Sequence, residues 1–337
     1  MSMIYRPIVQ YDPARPEGAF ALAGGWCWFA QVELLRRDGP AQIIPAVDMP
    51  DEVLARLTAK RAPILGLGFE APRLMGIVNV TPDSFSDGGK FEAAEAAVLH
   101  GAGMAQGGAD ILDIGGESTR PGADFVSCAE EIARVVPAIE GLRRAGVSAP
   151  ISIDTRKADV AAAALNAGAD MINDVSAMEF DGAMAALAAA RAAPICLMHA
   201  KGDPKTMQQA PRYDDVLFEV YDYLEARIAV AEAAGISRAQ IIVDPGIGFG
   251  KTQAHNLALL ARISAFHGLG CAILLGASRK RFIGAIGGGE ADARMPGSVA
   301  VALAGIAQGV QMVRVHDMFE TDQALRLWLA ATGGVEE

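Results

Sequence analysis

The 337-residue sequence has few cysteines and few aromatic residues, and both shortages exclude classes of protein. The four cysteines, Cys27, Cys128, Cys196 and Cys271, are far apart and form no CxxC pair, which argues against a zinc site and a disulfide framework. We therefore expect a reducing, cytoplasmic setting. Aromatic residues make up 6% of the chain and hydrophobic residues 52%, a balance that favours helices over a buried parallel sheet.

An excess of positive charge and long apolar runs are lacking as well. The formal net charge is -11 and the basic residues are scattered, so we expect no nucleic-acid partner. The opening MSMIYRPIVQYDPARPEG has no basic segment followed by an apolar one, and the run AGGWCWFAQVELL is too short and too polar at its end to span a bilayer. We expect no export signal and no membrane partner.

From residue 74 onward the sequence alternates short apolar runs with Ala-rich helical patterns. The predicted strands are LMGIVN (74–79), DILDIG (110–115), PISID (150–154), DMIND (170–174), PICLMH (194–199), IIVDPG (241–246), AILLGAS (272–278) and MVRVHD (312–317). Eight consecutive βα units predict an α/β protein with a (β/α)8 TIM barrel. Residues 72–337 are assigned to the barrel domain. Residues 1–71 lack this period and are predicted to be an N-terminal extension packed on it, with a strand or two and a short helix.

Each predicted strand has a polar residue at or near its carboxyl end: Asn79, Asp113, Asp154, Asn173, His199, Asp244, Ser278 and His316. The carboxyl ends of barrel strands share one rim, so these side chains would converge there. Any one of them alone is explained as a helix cap or turn former. Eight together indicate a functional rim, because a cap needs no Asp inside an apolar run such as SIDTRK or IVDPG.

One group of rim residues suits a flat ring. Asp154, Asn173 and Asp244 offer carboxylates and an amide to a heterocycle whose edge alternates hydrogen-bond donors and acceptors. The loop PGIGFGKT after Asp244 is not a P-loop, because GxxxxGK[ST] needs glycine where Pro245 stands. Its glycines are predicted to let the backbone pass close to a bound ring, with Phe249 available to cover it.

A second group of rim residues is cationic. It comprises Arg120 in GGESTRPGA, Arg279, Lys280 and Arg281 in GASRKRF, and Arg314 with His316 in VRVHD. Arg314 and His316 are two apart on one strand, point to the same side and could clamp a phosphate or pyrophosphate. Taken alone, SRKR could equally be a solvated charge run. Positive charge is unfavourable near a helix N-terminus, so its presence there indicates an anionic ligand.

Seven motifs carry a resemblance to a known family. GIVNVTPDSFSDGG, DIGGESTRPGA, ISIDTRK, MINDVS, VDPGIGFGKT, GASRKRF and VRVHD, in this order and spacing, resemble those of the dihydropteroate synthases over about residues 72–332. The resemblance implies a transferase of folate biosynthesis that joins 6-hydroxymethyl-7,8-dihydropterin diphosphate to p-aminobenzoate through loss of pyrophosphate and a pterin cation. It also implies Mg²⁺, inhibition by sulfonamides and a homodimer.

The resemblance implies roles for individual residues. Those assigned to the pterin ring are Asp154, Asn173, Asp244, Phe249 and Lys280. Those assigned to the diphosphate are Asn79, Arg120, Arg314 and His316, with Asn79 and Asp87 as Mg²⁺ ligands. Those assigned to p-aminobenzoate are Phe85, Thr119, Pro121, Lys280 and Arg281, where Arg281 replaces a small hydroxyl residue of many family members. The predicted catalytic residues are Asp87, Asp154, Lys280, Arg314 and His316.

Two alternatives stay open on the sequence. A methyltetrahydrofolate methyltransferase would share the ring pocket but would not need the pyrophosphate residues or SRKR. A catalytically retired homologue would bind pterin without turnover. The intact Asp154, Lys280, Arg314 and His316 argue against a retired homologue.

Overall fold

A computed structural model describes residues 3–80, 90–118, 122–202 and 206–333. The chain starts with short elements that precede the barrel: β1 (Met3–Pro7), β2 (Phe20–Ala21), β3 (Trp28–Phe29), β4 (Gln31–Arg36), β5 (Gly39–Pro45) and α1 (Asp51–Thr58). Strands β1, β4 and β5 form an antiparallel sheet, and β2 pairs with β3. The extension therefore contains more strands than the one or two that were predicted.

The strands that follow form a closed parallel barrel in chain order. They are β6 (Arg73–Asn79), β7 (Ile111–Gly115), β8 (Ile151–Asp154), β9 (Met171–Asp174), β10 (Ile195–Met198), β11 (Ile241–Asp244), β12 (Ala272–Leu275) and β13 (Met312–Val315). The barrel closes between β13 and β6, where Val313 lies opposite Leu74. Every residue of β11 and of β12 is buried, as expected for strands covered on both faces. The predicted (β/α)8 TIM barrel is confirmed, whereas the domain boundary at residues 71 and 72 stays a prediction.

Helices lie between the barrel strands and after the last one. They are α2 (Lys90–Gln106), α3 (Cys128–Arg144), α4 (Ala158–Ala167), α5 (Met184–Arg191), α6 (Val216–Ala233), α7 (Gln253–Ala261), α8 (Arg281–Gly287), α9 (Met295–Ile306) and α10 (Met318–Gly333). The Ala-rich sequences favour helix formation, and α4 ends at Gly168 with a left-handed φ of 111°.

The helices differ from the prediction in two places. The helical pattern AHNLALLARISAFHG, which predicts one helix, forms α7 followed by a 3-10 helix over Ile263–Leu269. Between β12 and β13 the pattern PGSVAVALAGIAQGV predicts a helix where α9 lies, and the one indication of α8 is the helix start assigned to SRKR. Helix α8 is too short to show a helical period, and it contains glycines at 284 and 287.

The N-terminal end of the barrel is apolar inside. Its interior is filled by Met75, Ile111, Met171, Cys196, Ile242, Ala272, Leu274 and Met312. Ile64 and Phe69, which precede β6 in the chain, are buried against this cluster and cover it at the N-terminal end of the barrel. Ligand access through this end is therefore blocked by packed side chains.

Polar contacts anchor the extension to the barrel. Trp26 Nε1 donates to the carbonyl oxygen of Ile306 at 3.1 Å, and Ser264 Oγ donates to that of Pro7 at 3.0 Å. Arg61 is buried, and its guanidinium donates to backbone carbonyls that include those of His267 and Cys271. The extension is thus held against the side and the lower end of the barrel. Within the described part of the chain, no helix has the length and apolarity to cross a bilayer.

Candidate active site

The carboxyl ends of the barrel strands surround a cavity of about 1180 Å³. The predicted site residues that the structure describes all line it: Asn79, Asp154, Asn173, Asp244, Phe249, Lys280, Arg281, Arg314 and His316. The other predicted site residues, Phe85, Asp87, Thr119, Arg120 and Pro121, lie outside the described residues. The fold therefore brings together side chains from both ends of the barrel sequence.

An arginine shared by two carboxylates lies at the base of the cavity. Arg314 on β13 donates from Nε to Asp113 Oδ2 at 2.5 Å and from Nη2 to Asp154 Oδ2 at 2.8 Å. Asn173 Nδ2 donates to the same oxygen of Asp113 at 3.0 Å. These residues belong to β7, β8, β9 and β13, so closure of the barrel creates the cluster. The sequence had grouped Arg314 with His316 alone, and its assignment to the diphosphate stays a prediction.

Two acceptors of this cluster have no donor. The Oδ1 atoms of Asp113 and Asp154 are buried and lack a hydrogen-bond partner among the described residues. A buried acceptor in this condition costs about 1–3 kcal/mol. Asp154 lines the cavity, so a ligand that brings an N–H donor to its Oδ1 atom would reduce this cost, and the cluster favours such a ligand.

Burial sets the protonation of these groups. It raises the pKa of Asp154 to about 7, a shift that Arg314 opposes and Asp113 increases. Burial likewise raises the pKa of Asp244 to about 6. Burial alone would lower the pKa of Arg314, but the carboxylates of Asp113 and Asp154 raise it. The base of the cavity thus combines a permanent cation with carboxylates that titrate near neutral pH.

The glycine-rich loop after β11 fixes Asp244. Gly246 N donates to Asp244 Oδ1 at 2.7 Å. Gly246, Gly248 and Gly250 have φ of +68°, +85° and +62°, a region that side chains other than glycine rarely adopt. A Cβ atom at Gly246 would lie 1.9 Å from the carbonyl oxygen of His199. The loop therefore requires glycine for its backbone path.

The cationic run of residues 279–281 is divided in the structure. Arg279 pairs with Asp317 through two hydrogen bonds, of which the one from Nε is 3.1 Å. Lys280 places Nζ 3.9 Å from the centroid of the Phe249 ring, a cation–π contact. Arg281 begins α8 and is exposed at the edge of the cavity. Arg279 and Lys280 therefore have separate partners, and Arg281 is the exposed member of the run.

His316 follows β13 and Asn79 ends β6, and these two strands are neighbours in the barrel. His316 Nδ1 lies 3.0 Å from Ser278 Oγ, and the backbone N–H of His316 donates to the same hydroxyl at 3.2 Å. Ser278 thus orients the imidazole. Asn79 ends β6 and contributes an amide to the cavity wall. Within the described ranges, no group of three or more His, Cys, Asp or Glu side chains is arranged to hold a metal ion.

Sequence reasoning placed Asp113 on the functional rim but assigned it no ligand, and it gave Lys251 no role. Asp113 is fully buried in β7, and the signal for it was a carboxylate inside the apolar run ILDIG, since a buried charge needs partners. Lys251 is 3% exposed and its Nζ lies 2.8 Å from His199 Nδ1. A lysine after a glycine-rich loop gave no indication that it would be buried.

The barrel and its cavity define a protein that binds a flat ring with N–H donors near a cationic edge, and comparison with known proteins agrees. The family model described as "Pterin binding enzyme" matches residues 75–316. The chain belongs to the pterin binding enzyme family.

Particular relatives in this family are dihydropteroate synthases. That of Escherichia coli (strain K12) is 46% identical over 261 residues, which cover 77% of this chain and 92% of the relative. The structure of Xanthomonas albilineans dihydropteroate synthase with 4-aminobenzoic acid matches with a TM-score of 0.76 and 47% identity, over 82% of this chain and 98% of that one. The Yersinia pestis dihydropteroate synthase with a sulfonamide drug matches with a TM-score of 0.76 and 42% identity, over 81% and 98%.

Proposed function

We propose that this protein is a dihydropteroate synthase, a transferase of folate biosynthesis. It condenses 6-hydroxymethyl-7,8-dihydropterin diphosphate with p-aminobenzoate to give 7,8-dihydropteroate and pyrophosphate. The observation that carries the proposal is the cluster of Asp113, Asp154 and Arg314 at the base of the cavity. The relatives described above are named for the same activity, and the match covers 92% of the Escherichia coli relative and 98% of the Xanthomonas albilineans structure.

The base of the cavity suits the pterin ring. A pterin presents N–H donors and ring acceptors along one edge, and Asp154, Asn173 and Asp244 offer the complementary groups. Buried carboxylates without donors bind such an edge more strongly than exposed ones, because they do not give up bonds to water. Phe249 and Lys280 form a stacked pair at the cavity wall and would cover one side of the ring.

The proposed reaction breaks one bond and forms another at the same carbon. The bond between the pterin methylene carbon and the diphosphate oxygen breaks, and its electron pair leaves with pyrophosphate. The aniline nitrogen of p-aminobenzoate then attacks the methylene carbon and releases a proton to solvent. Ionised Asp154 and Asp244 favour the positive charge that develops on the ring. Arg314 and His316 would favour the negative charge of the leaving group.

We also propose that Mg²⁺ assists the leaving group. Mg²⁺ in such sites keeps several waters and uses one or two protein oxygens together with substrate phosphates, and the amide of Asn79 in the cavity wall fits this limited role. Asp87, the second predicted ligand, lies outside the described residues. When bound, the ion would neutralise charge on the diphosphate.

The p-aminobenzoate site is proposed to lie at the outer part of the cavity. Lys280 and Arg281 line it there and supply positive charge for a carboxylate. Phe85, Thr119 and Pro121, which lie outside the described residues, stay predicted members of this site. Sulfonamides, which share the aniline group, are expected to compete for it.

We further propose that the protein works in the cytoplasm as a homodimer. All four cysteines are unpaired and three are buried, which supports a reducing compartment. Phe319 and Leu327 on α10 have exposed fractions of 67% and 66%, and a second copy could cover such side chains.

Product analysis tests the proposed function. The purified full-length protein is incubated with the pterin diphosphate, Mg²⁺ and p-aminobenzoate, and the products are identified by mass spectrometry. We expect the mass of 7,8-dihydropteroate, and its absence when p-aminobenzoate is omitted. Tight pterin binding without this product would contradict the proposal and favour a retired homologue.

A further inference from the structure

Lys251 is a buried lysine beside the cavity that the proposed reaction does not use. Its Nζ donates to the carbonyl oxygens of Gly246 and Phe249 at 2.8 and 3.0 Å, and more weakly to that of His199 at 3.3 Å. It also lies 2.8 Å from His199 Nδ1. The ammonium group is thus surrounded by four acceptors, two from the loop of residues 246–250 and two from His199.

The protonation states fit this arrangement. Burial lowers the pKa of His199 to about 2, so its ring is neutral and Nδ1 can accept from Lys251. Burial also lowers the pKa of Lys251, while the nearby carboxylate of Asp244 opposes that shift. A lysine surrounded by carbonyl oxygens and an imidazole acceptor gains most from its charged form, which has three N–H donors.

The loop around Lys251 needs an internal support. Residues 246–250 alternate between left-handed glycines at 246, 248 and 250 and ordinary residues, a path that costs more conformational entropy than a helix or strand. Lys251 bonds carbonyls at both ends of this path. From outside, Asn256 Oδ1 accepts from Gly248 N at 2.8 Å and Tyr213 Oη donates to the carbonyl of Gly250 at 2.8 Å.

The same loop presents Phe249 to the cavity. The carbonyl of Phe249 is bonded to Lys251, while its ring lies 3.9 Å from the Nζ of Lys280. Lys280 also lies 3.1 Å from the position of a Cβ atom at Gly248. The orientation of the Phe249–Lys280 pair therefore depends on the loop, and carbonyl oxygens of the loop accept hydrogen bonds from Lys251.

We infer that Lys251 is a positioning residue: its buried ammonium holds the loop of residues 246–250 so that Phe249 and Lys280 form one wall of the ring site. This deepens the proposed function and rests on it for its kinetic test. Lys251 itself lines the cavity, but its Nζ is bonded to the loop carbonyls of Gly246 and Phe249 and lies against His199. It acts through Phe249, so its removal and the removal of the Phe249 ring should have the same consequence.

A double-mutant cycle tests this dependence. The KM for the pterin diphosphate and kcat are measured for wild type, Lys251→Met, Phe249→Ala and the double variant. We expect Lys251→Met to raise the KM about tenfold or more, because small displacements in a binding wall have large effects, while kcat changes less. The KM of the double variant should lie within about twofold of the higher of the two single-variant KM values, since both changes remove the same interaction. If the fold-increases in KM of the two single variants multiply in the double variant, the inference is overturned.

Arg61 provides a matched control, because it is another buried cation that donates to backbone carbonyls, at the opposite end of the barrel. Arg61→Met is expected to lower the melting temperature and to leave the KM unchanged. An equal rise in KM for Arg61→Met would mean that general loss of stability explains the effect, and would also overturn the inference.

Lys251→Gln keeps donors for the loop carbonyls, so its KM for the pterin diphosphate is expected to lie between the values of wild type and Lys251→Met. It also replaces Lys251→Met in the cycle if that variant does not fold, and either a wild-type KM in Lys251→Gln or losses that multiply with those of Phe249→Ala would then count against the inference. If wild type itself makes no product, the proposed function fails separately. The same cycle is then run on the Kd of 6-hydroxymethylpterin by calorimetry, where coupled losses support the role of Lys251 and independent losses reject it.

Discussion

The two ends of the barrel are made by the same strands but have opposite chemistry. At the N-terminal end, apolar side chains fill the interior and Ile64 and Phe69 close it. At the C-terminal end, Asp113 is buried and Asp154 and Arg314 are half-buried beside an open cavity. The first arrangement stabilises the fold, and the second imposes a cost that a ligand can relieve.

An arginine–aspartate pair at each end shows the difference directly. At the N-terminal end, Arg73 Nη1 pairs with Asp110 Oδ1 at 3.1 Å, and the other oxygen of Asp110 accepts from Leu74 N at 2.8 Å. Both oxygens of Asp110 are satisfied, whereas Asp154 Oδ1 has no partner among the described residues. Similar pairs of side chains therefore satisfy each other in one place and leave an acceptor for the proposed ligand in the other.

The largest effect is expected at Asp154. Asp154→Asn should lower kcat/KM by about 10³-fold, because it removes a charge that favours the cationic ring in the transition state. Steady-state pyrophosphate release measures this, and circular dichroism checks that the variant is folded. Asp110→Asn is the matched control at the other end. It should keep wild-type kcat/KM, and a comparable loss there would contradict the division between the ends.

The next effect concerns stability alone. Phe69→Ala should lower the free energy of unfolding by about 3–5 kcal/mol, because it leaves a cavity in the apolar end of the barrel. Urea denaturation measures the loss. At a temperature where the variant remains folded, kcat/KM should stay near wild type. A large loss of activity in the folded variant would show that the two ends are coupled.

A smaller effect separates the groups within the active end. His316→Ala should weaken binding of pyrophosphate about tenfold, by loss of one charge-assisted hydrogen bond, and change binding of a bare pterin little. Arg314→Met should weaken both ligands, because Arg314 also holds Asp113 and Asp154. Calorimetric titration of each ligand compares them. Equal losses of both ligands in His316→Ala would reject its placement at the diphosphate.

The effect of pH is expected to be graded. Burial raises the pKa of Asp154 to about 7 and of Asp244 to about 6, and in the proposed site the ionised forms accept hydrogen bonds from the ring. The value of kcat/KM should therefore fall as pH decreases through 7 and 6. Stability should show the opposite trend: both pKa values exceed the ordinary 3.8, so wild type loses stability relative to Asp154→Asn as pH rises from about 4 to about 7. A flat activity profile over this range would contradict the assignment.

The sequence predicted the parts of this comparison that depend on periodicity. The eight apolar runs predicted the barrel, and the polar residues at their ends predicted that Asn79, Asp154, Asn173 and Asp244 would share one cavity. Both follow from the fixed geometry of parallel strands, whose carboxyl ends meet at one rim.

The sequence did not predict the pairing of side chains. Arg314 was expected beside His316, but the period of two does not indicate which residues on other strands it will contact. Its partner Asp113 lies on β7, two strands away across the closure of the barrel. Lys251 was missed because burial of a lysine depends on acceptors from a distant residue, His199. The extent of helix α8 was not predicted, although SRKR was placed at a helix start, because seven residues are too few for a helical period.

The most direct test of the account is pyrophosphate release from 6-hydroxymethyl-7,8-dihydropterin diphosphate with Mg²⁺, measured with and without p-aminobenzoate for wild type, Asp154→Asn and Asp110→Asn. The account predicts release that requires p-aminobenzoate, that is lost in Asp154→Asn and that is retained in Asp110→Asn. No release from wild type, or equal release from the two variants, would contradict the claim that the polar end of the barrel is a dihydropteroate synthase site.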